Sequence, residues 1–285
     1  MGLFEKLSTK YPDEKSESHL APDGQSPPPY SSASSADFST PSSHSSAPGT
    51  TLKLPQSFWL DYRWHSSTSF IGAEKGARDF AVTVPSRMNC FAHRAITLRD
   101  GSAKDSPALV SVKGQKGSMG RRSVISLPST GEKDPGQDIV GAFGPGGSSK
   151  GFDVTLENGT VEHFEWRRSM GDEVKNLESG FQGWKLVRMD SPYTLSGGQE
   201  EFPQGYTSDG REIVAVAAYP KMFRNSPRFE FLGSGARGEM GVRFELVAAI
   251  SFVRMYEIAM QQANGAAASA SASASASASA AAVTA

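Results

Sequence analysis

The sequence predicts a mainly β fold in which roughly a dozen short strands form an antiparallel barrel or sandwich around one C-terminal helix. Two observations predict it. Short segments with an apolar residue at every second position, each bounded by Gly, Pro, Asn or Asp, recur through the middle of the chain. The segment Gly241 to Gln262 then carries Val242, Phe244, Leu246, Ile250, Phe252, Met255 and Ile258 with apolar groups all round. Such a helix must be buried on every side, in a protein core or in lipid. Lipid is disfavoured by length, because the uncharged run between Glu245 and Arg254 is only Leu246 to Val253, and a membrane span needs roughly 20 mostly apolar residues. The helix is therefore expected to fill a barrel, in place of side-chain layers or a ligand.

The strands follow in order. Phe58, Leu60, Tyr62 and Trp64 share one face, and Phe80, Val82 and Val84 form a second set. Arg94 to Arg99 and Ala108 to Lys113 flank a loop opened by Asp100-Gly101, and Val124 to Leu127 and Asp138 to Phe143 come next. The clearest hairpin runs from Phe152 to Glu157, turns at Asn158-Gly159 and returns from Thr160 to Arg167. Asn-Gly accepts the positive φ angles of a two-residue type I′ turn. Gly183 to Met189, Glu212 to Tyr219 and Pro227 to Leu232 complete the set. Within the second of these, Ile213 to Ala218 is apolar on both faces, which predicts a strand covered inside and out.

Composition marks off the ends. Residues 1–51 are rich in Ser and Pro and predict a disordered tail, and residues 263–285 are an Ala/Ser low-complexity run with no side chain large enough to pack. The folded domain is expected over 52–262, with its central helix at about 241–262. Three lysines against six carboxylates give residues 1–50 a charge of −3, which leaves +2 on the domain. Neither value demands nucleic acid as a partner. Cys90 is the single cysteine, so no internal disulfide can form. With no apolar run near Met1, this predicts a cytoplasmic protein, without a transmembrane span.

Two motifs point to partners. Pro27-Pro28-Pro29-Tyr30 fits the Pro-Pro-x-Tyr ligand of WW domains, in which prolines preset the polyproline II helix. The natural reader would be a WW-containing ubiquitin ligase. The stretch Ser106 to Thr130 contains Lys113, Lys116, Arg121 and Arg122 and no carboxylate, and Gly114, Gly117 and Gly120 divide it. Exposed cations with free backbone amides suit a phosphorylated headgroup, and a solvated hairpin loop is the alternative. Lys221, Arg224 and Arg228 make a second acid-free patch.

Other segments carry no chemistry. Gly141 to Lys150 is glycine-rich but lacks the Gly-Lys-Ser/Thr ending of a phosphate loop, and reads as a connection. His65, His93 and His163 lie far apart with no Cys or carboxylate at ligand spacing, so neither a metal nor another cofactor is expected. Ser is abundant but no single Ser can be chosen as a nucleophile, and Cys90 reads as a small core residue, so no catalytic residue is expected. Phe164, Trp166 and Trp184 are expected to pack against the helix.

The unit Ala95-Ile-Thr-Leu-Arg-Asp-Gly101 with Leu109-Val-Ser-Val-Lys113, the block His163-Phe-Glu-Trp-Arg-Arg-Ser169, the block Gly183-Trp-Lys-Leu-Val-Arg188 and the closing helix come in a telling order. Together they resemble the tubby C-terminal-like superfamily, which includes tubby proteins, plant LURP-one-related proteins and phospholipid scramblases. The two blocks look like those of fungal members. The resemblance covers residues 52–262 and neither end. It implies a roughly twelve-stranded antiparallel barrel around a C-terminal helix. It also implies phosphoinositide binding through basic residues on the barrel. The expected function is a non-enzymatic intracellular binding or adaptor module. It would read an anionic membrane lipid at the periphery of a membrane, through Lys113, Lys116, Arg121, Arg122, Lys221, Arg224 and Arg228. Scramblase-like phospholipid transfer, or a WW-domain ubiquitin-ligase adaptor with the barrel as a protein-binding scaffold, are the alternatives.

Overall fold

The computed structural model describes residues 53–63, 66–84, 95–118, 121–129, 136–144, 149–177, 182–192, 202–219 and 226–282, with side chains of the last helix described as far as residue 266. The strands form one antiparallel sheet. β1 (Ser57–Asp61), β2 (Thr68–Gly72), β3 (Phe80–Thr83), β4 (Ile96–Arg99), β5 (Ala108–Gly114), β6 (Ser123–Leu127) and β7 (Gln137–Gly141) pair in succession. β8 (Ser149–Thr155), β9 (Val161–Ser169), β10 (Gln182–Pro192), β11 (Arg211–Tyr219) and β12 (Arg228–Phe231) do the same, and β12 then pairs with β1. The first and last strands are thus neighbours, and the free edges are β7 and β8. These edges meet. Ala142 N–H donates to Gly151 O at 3.0 Å, and Gln137 Nε2 donates to Thr155 Oγ1 at 3.0 Å, so the sheet is a nearly closed barrel.

Inward residues follow the period-2 pattern, with Phe58, Leu60, Val110, Val112, Ile125, Phe152, Val154, Phe164 and Trp166 all buried. β2 is the strand the sequence pattern does not announce. Its two large apolar residues, Phe70 and Ile71, are consecutive. Ile71 is buried opposite Leu60, whereas Phe70 faces outward beneath the guanidinium groups of Arg63 and Arg78, at 5.5 and 5.1 Å from its ring centre.

The β8–β9 turn differs from the expected two-residue type I′ turn. Gly159 N–H donates to Leu156 O at 2.9 Å and Leu156 N–H to Thr160 O at 2.8 Å, so the loop is Glu157-Asn158-Gly159, with Gly159 at φ +84°. Register gives the reason. Phe152 pairs with Phe164, which keeps Phe152, Val154, Phe164 and Trp166 on one face. A two-residue loop would slip the pairing by one residue and turn one arm's apolar set outward.

β11 is covered twice, as its sequence predicts. Val214, Ala215 and Ala217 join the main core, and Ile213, Val216 and Ala218 pack outside against Val174 and Leu177 of α1 (Asp172–Leu177). A Cβ on Gly183 of β10 would collide with the Ala217 carbonyl and the Val174 side chain, so glycine lets α1 lie close to the sheet. α2 (Gly233–Ala236) follows β12 and leads into α3 (Gly241–Ala282).

α3 is the core of the barrel. From Phe244 to Ile258 every side chain except the half-buried Arg254 is buried. Phe58 stacks on Phe229 at 4.6 Å between ring centres, Phe229 meets Phe252 at 5.4 Å, and Phe164 meets Phe244 at 4.7 Å. Trp166 Nε1–H donates to Ser251 Oγ at 2.8 Å, and Ser251 Oγ–H to Ala248 O at 2.8 Å. Arg254 reaches Glu257 at 2.5 Å and donates from Nε to Ser123 Oγ at 3.3 Å. The helix continues through the Ala-Ser alternation to Ala282, where a disordered tail was expected from about 263. Alanine is the best helix former and no proline interrupts the run, so the helix passes through Asn264-Gly265 and continues. Among the described residues no helix is long and apolar enough to cross a membrane. The Ser/Pro-rich segment 1–51, Trp64, His65, Cys90 and His93 lie outside the described residues.

Ile250→Asp should abolish cooperative folding, because an unpaired carboxylate in the fully buried core between helix and barrel costs several kcal/mol. Circular dichroism melting checks this, and a soluble, cooperatively melting variant would show that the helix is peripheral. Glu245 gives a pH signature. Its carboxylate accepts from Lys53 N–H at 2.9 Å and from Leu54 N–H, yet burial outweighs these bonds and holds it above the usual carboxylate range. The folded state therefore binds this proton more tightly than the unfolded chain. The stability it contributes is complete below the unfolded value of about 4.3 and is lost as pH rises through the higher folded value. Urea midpoints should decline over that interval in the wild type and decline less in Glu245→Gln.

Candidate functional site

Four of the seven basic residues singled out by the sequence stand on the β5–β6 hairpin. Val110 and Val112 of β5 and Ile125 of β6 point into the core, and Val112 pairs with Ile125. The alternate position, Lys113 opposite Val124, therefore faces out. Beyond it the chain turns. Gln115 N–H donates to Arg122 O at 3.0 Å and Arg121 N–H to Ser118 O at 2.9 Å. Ser118 Oγ donates to Gln115 O at 2.8 Å and accepts from Arg122 N–H at 3.3 Å, tying both arms together. Gly117 at the tip has φ +76°, and nothing stands within 4 Å of where its Cβ would lie. Lys113, Lys116, Arg121 and Arg122 are all exposed, and none forms an ion pair among the described residues.

The hairpin is anchored to the seam between β7 and β8. Gly144 N–H donates to Arg121 O at 3.0 Å, and the Lys150 ammonium donates to the carbonyls of Gly144 and, at 3.2 Å, Phe143. Lys150 is buried on the same face of β8 as Phe152, with its Nζ 5.5 Å from the centre of the Trp184 ring. Burial, and then the neighbouring Arg168, lower its pKa. The glycine-rich segment before it reads in sequence as a simple connection. Lys150 is missed by that reading, although its parity with Phe152 and Val154 is a usable signal. The hairpin also marks one end of the barrel. Ser123, the first residue of β6, meets Arg254 in the later part of α3, whereas the start of α3 contacts Glu157 at the opposite end.

The remaining residues do not join this surface. Arg228 lies on β12, five strands from β5 in the sheet order. Its guanidinium donates to Leu177 O at 2.9 Å and Ser57 Oγ at 3.2 Å, approaches Glu230 at 4.0 Å and covers the Trp59 ring at 5.4 Å. It therefore fastens the end of α1 to the barrel wall. Lys221, Arg224 and the motif Pro27 to Tyr30 lie outside the described residues. His163 Nδ1 meets Asp153 Oδ1 at 2.6 Å, and among the described residues no group of three or more His, Cys, Asp or Glu is placed to hold a metal ion. Phe164, Trp166 and Trp184 belong to the core around α3, as expected.

No family model, no curated protein and no solved structure matches this chain.

Lys150→Met keeps the apolar stem and strands the Phe143 and Gly144 carbonyls. It should cost about 1–3 kcal/mol in urea denaturation. Amide hydrogen exchange at Gly144, whose N–H anchors Arg121, should quicken relative to wild type.

Proposed function

We propose that this chain is a tubby-like, non-enzymatic binding module whose β5–β6 hairpin takes an anionic phosphate headgroup at a membrane surface. The observation that carries the reading is the cluster of four exposed, unpaired cations on one hairpin, in a stretch with no carboxylate from Ser106 to Thr130. The nearly closed twelve-stranded arrangement around a C-terminal helix agrees with the resemblance to the tubby-like barrels. A hairpin standing on a rigid, filled barrel presents its charges without the entropic cost of ordering a loose tail. Each cation near an anionic surface contributes about 1 kcal/mol, and the contribution weakens as salt shortens the Debye length. The scramblase-like alternative has less support, because the helix it would send into lipid is the barrel's own core. The Pro27 to Tyr30 segment would serve the same module as a recruitment arm for a WW-domain protein.

Flotation of the full chain with phosphatidylcholine vesicles, with and without a phosphoinositide, tests the proposal. Binding should require the anionic lipid and fall with salt. Changing Lys113, Lys116, Arg121 and Arg122 together to Ala should weaken it by about 4 kcal/mol, or roughly a thousandfold, with the melting temperature unchanged. Equal binding to neutral vesicles would remove the lipid reading.

A further inference from the structure

We propose that Ser118 is a phosphorylation site that switches the cationic hairpin off, an inference that rests on the anion-binding reading of the same surface. Ser118 sits in the turn close in sequence to three of the four cations, with Lys116 two residues before it and Arg121 and Arg122 three and four residues after it, and Lys113 at the end of β5. The nearest carboxylate in sequence on either side lies outside the whole stretch from Ser106 to Thr130. A serine with basic flanks and no acidic ones suits a kinase with an acidic substrate groove, and repels one that selects acidic flanks. The open space around Gly117 leaves the tip approachable from solvent. Ser123, the next serine along, is also flanked by Arg122 but is fully buried and bonded to Arg254, so the half-buried Ser118 is the more accessible of the two.

In the transfer, Ser118 Oγ attacks the γ-phosphorus of ATP. The Oγ–P bond forms, the bond from the γ-phosphorus to the β–γ bridging oxygen breaks, and ADP leaves. The hydroxyl proton passes to the kinase's catalytic carboxylate. The new group carries a charge of about −1.5 to −2 and three acceptor oxygens, so it removes about half the charge of the four-cation hairpin. Those oxygens form charge-assisted bonds with cations of the same turn, which are then withheld from any external phosphate. The hydroxyl hydrogen is lost as well. Ser118 can no longer donate to Gln115 O, so one of the two bonds its hydroxyl makes within the turn is lost.

The test uses the full chain, ATP and a basic-directed serine kinase of the protein kinase C class, with phosphopeptide mapping and Ser118→Ala as control. The modified protein is then compared with the unmodified one on immobilised heparin and on phosphatidylcholine vesicles containing phosphatidylserine. Phosphate on Ser118, elution from heparin at lower salt and roughly thirtyfold weaker vesicle binding are expected. Ser118→Asp should move in the same direction by a smaller amount. Phosphate on other serines with none on Ser118 overturns the proposal, as does a Ser118 phosphate that leaves heparin elution unchanged. If the heparin shift is present but neither form binds vesicles, the switch stands and the lipid reading of the hairpin falls.

Discussion

An eight-stranded barrel has an interior just wide enough for its own side chains to fill, so a barrel of twelve strands needs something more at its centre. Here that filling is α3. A helix suits the position because its backbone donors and acceptors are paired internally, so it can be enclosed by apolar side chains without stranding polar groups. The requirement propagates outward. Every residue from Phe244 to Ile258 except Arg254 must tolerate burial, and every strand must offer the helix one apolar face. The helix also comes after all twelve strands in the chain, so the sheet has no core until its last element is in place. Pairing of β12 with β1 brings the start of α3 beside the start of the barrel, where Glu245 binds the backbone amides of Lys53 and Leu54.

An apolar rod inside an apolar tube has little to fix its rotation or depth, and the few polar groups in this core supply that. Ser251 lies at mid-helix and meets the indole N–H of Trp166. One turn later, Arg254 joins Glu257 to Ser123 on β6. At the opposite end, inward-facing Glu162 of β9 receives Arg188 of β10 at 2.6 and 2.5 Å, and Glu212 of β11 receives the hydroxyl of Ser234 in α2 at 2.9 Å. Such bonds add modest net stability, since desolvation offsets much of their strength. Directionality in the Ser251 and Arg254 bonds does what apolar packing cannot, because a slipped or rotated α3 would separate them from Trp166 and Ser123, while the Glu162 and Glu212 bonds tie strand to strand and strand to α2.

The architecture was legible because burial imposes periodicity, and the parts that escaped are those in which periodicity is weak. The all-round apolar helix and the doubly apolar Ile213 to Ala218 strand are direct imprints of being enclosed, and both are found where the pattern puts them. β2 escaped because its outward Phe70 is covered by arginine side chains, which breaks the alternation. The β8–β9 loop length was hidden because Asn-Gly serves either turn, and only the parity of Phe152 with Phe164 decides between them. The site was half legible. Charge counting finds Lys113, Lys116, Arg121 and Arg122, but it cannot tell an exposed cation from Arg228, whose structural partners come from residues as distant as Ser57 and Leu177. Nor can it see Lys150, whose partners are backbone carbonyls that every sequence possesses.

The contrast between the hairpin and the rest of the barrel is the argument for reading it as a surface for something else. Several cations elsewhere in this fold are neutralised where they stand, Arg63 by Asp61, Arg167 by Glu165 and Asp209, Arg188 by Glu162, and Arg237 by Glu239, and others lie over aromatic rings or on carbonyl oxygens, as Arg78 and Lys150 do. A fold that needed the hairpin only as a connection could close it with the same economy, by a carboxylate beside the exposed Lys113. Instead four like charges are gathered on one hairpin, three of them in its turn, where their mutual repulsion is a small but steady penalty on the folded state. The turn is nevertheless held firmly, by the Ser118 hydroxyl within it and by the Gly144 amide beside it. Repulsion combined with rigidity is the arrangement that favours an external anion, because the ligand relieves the first and finds the second already established.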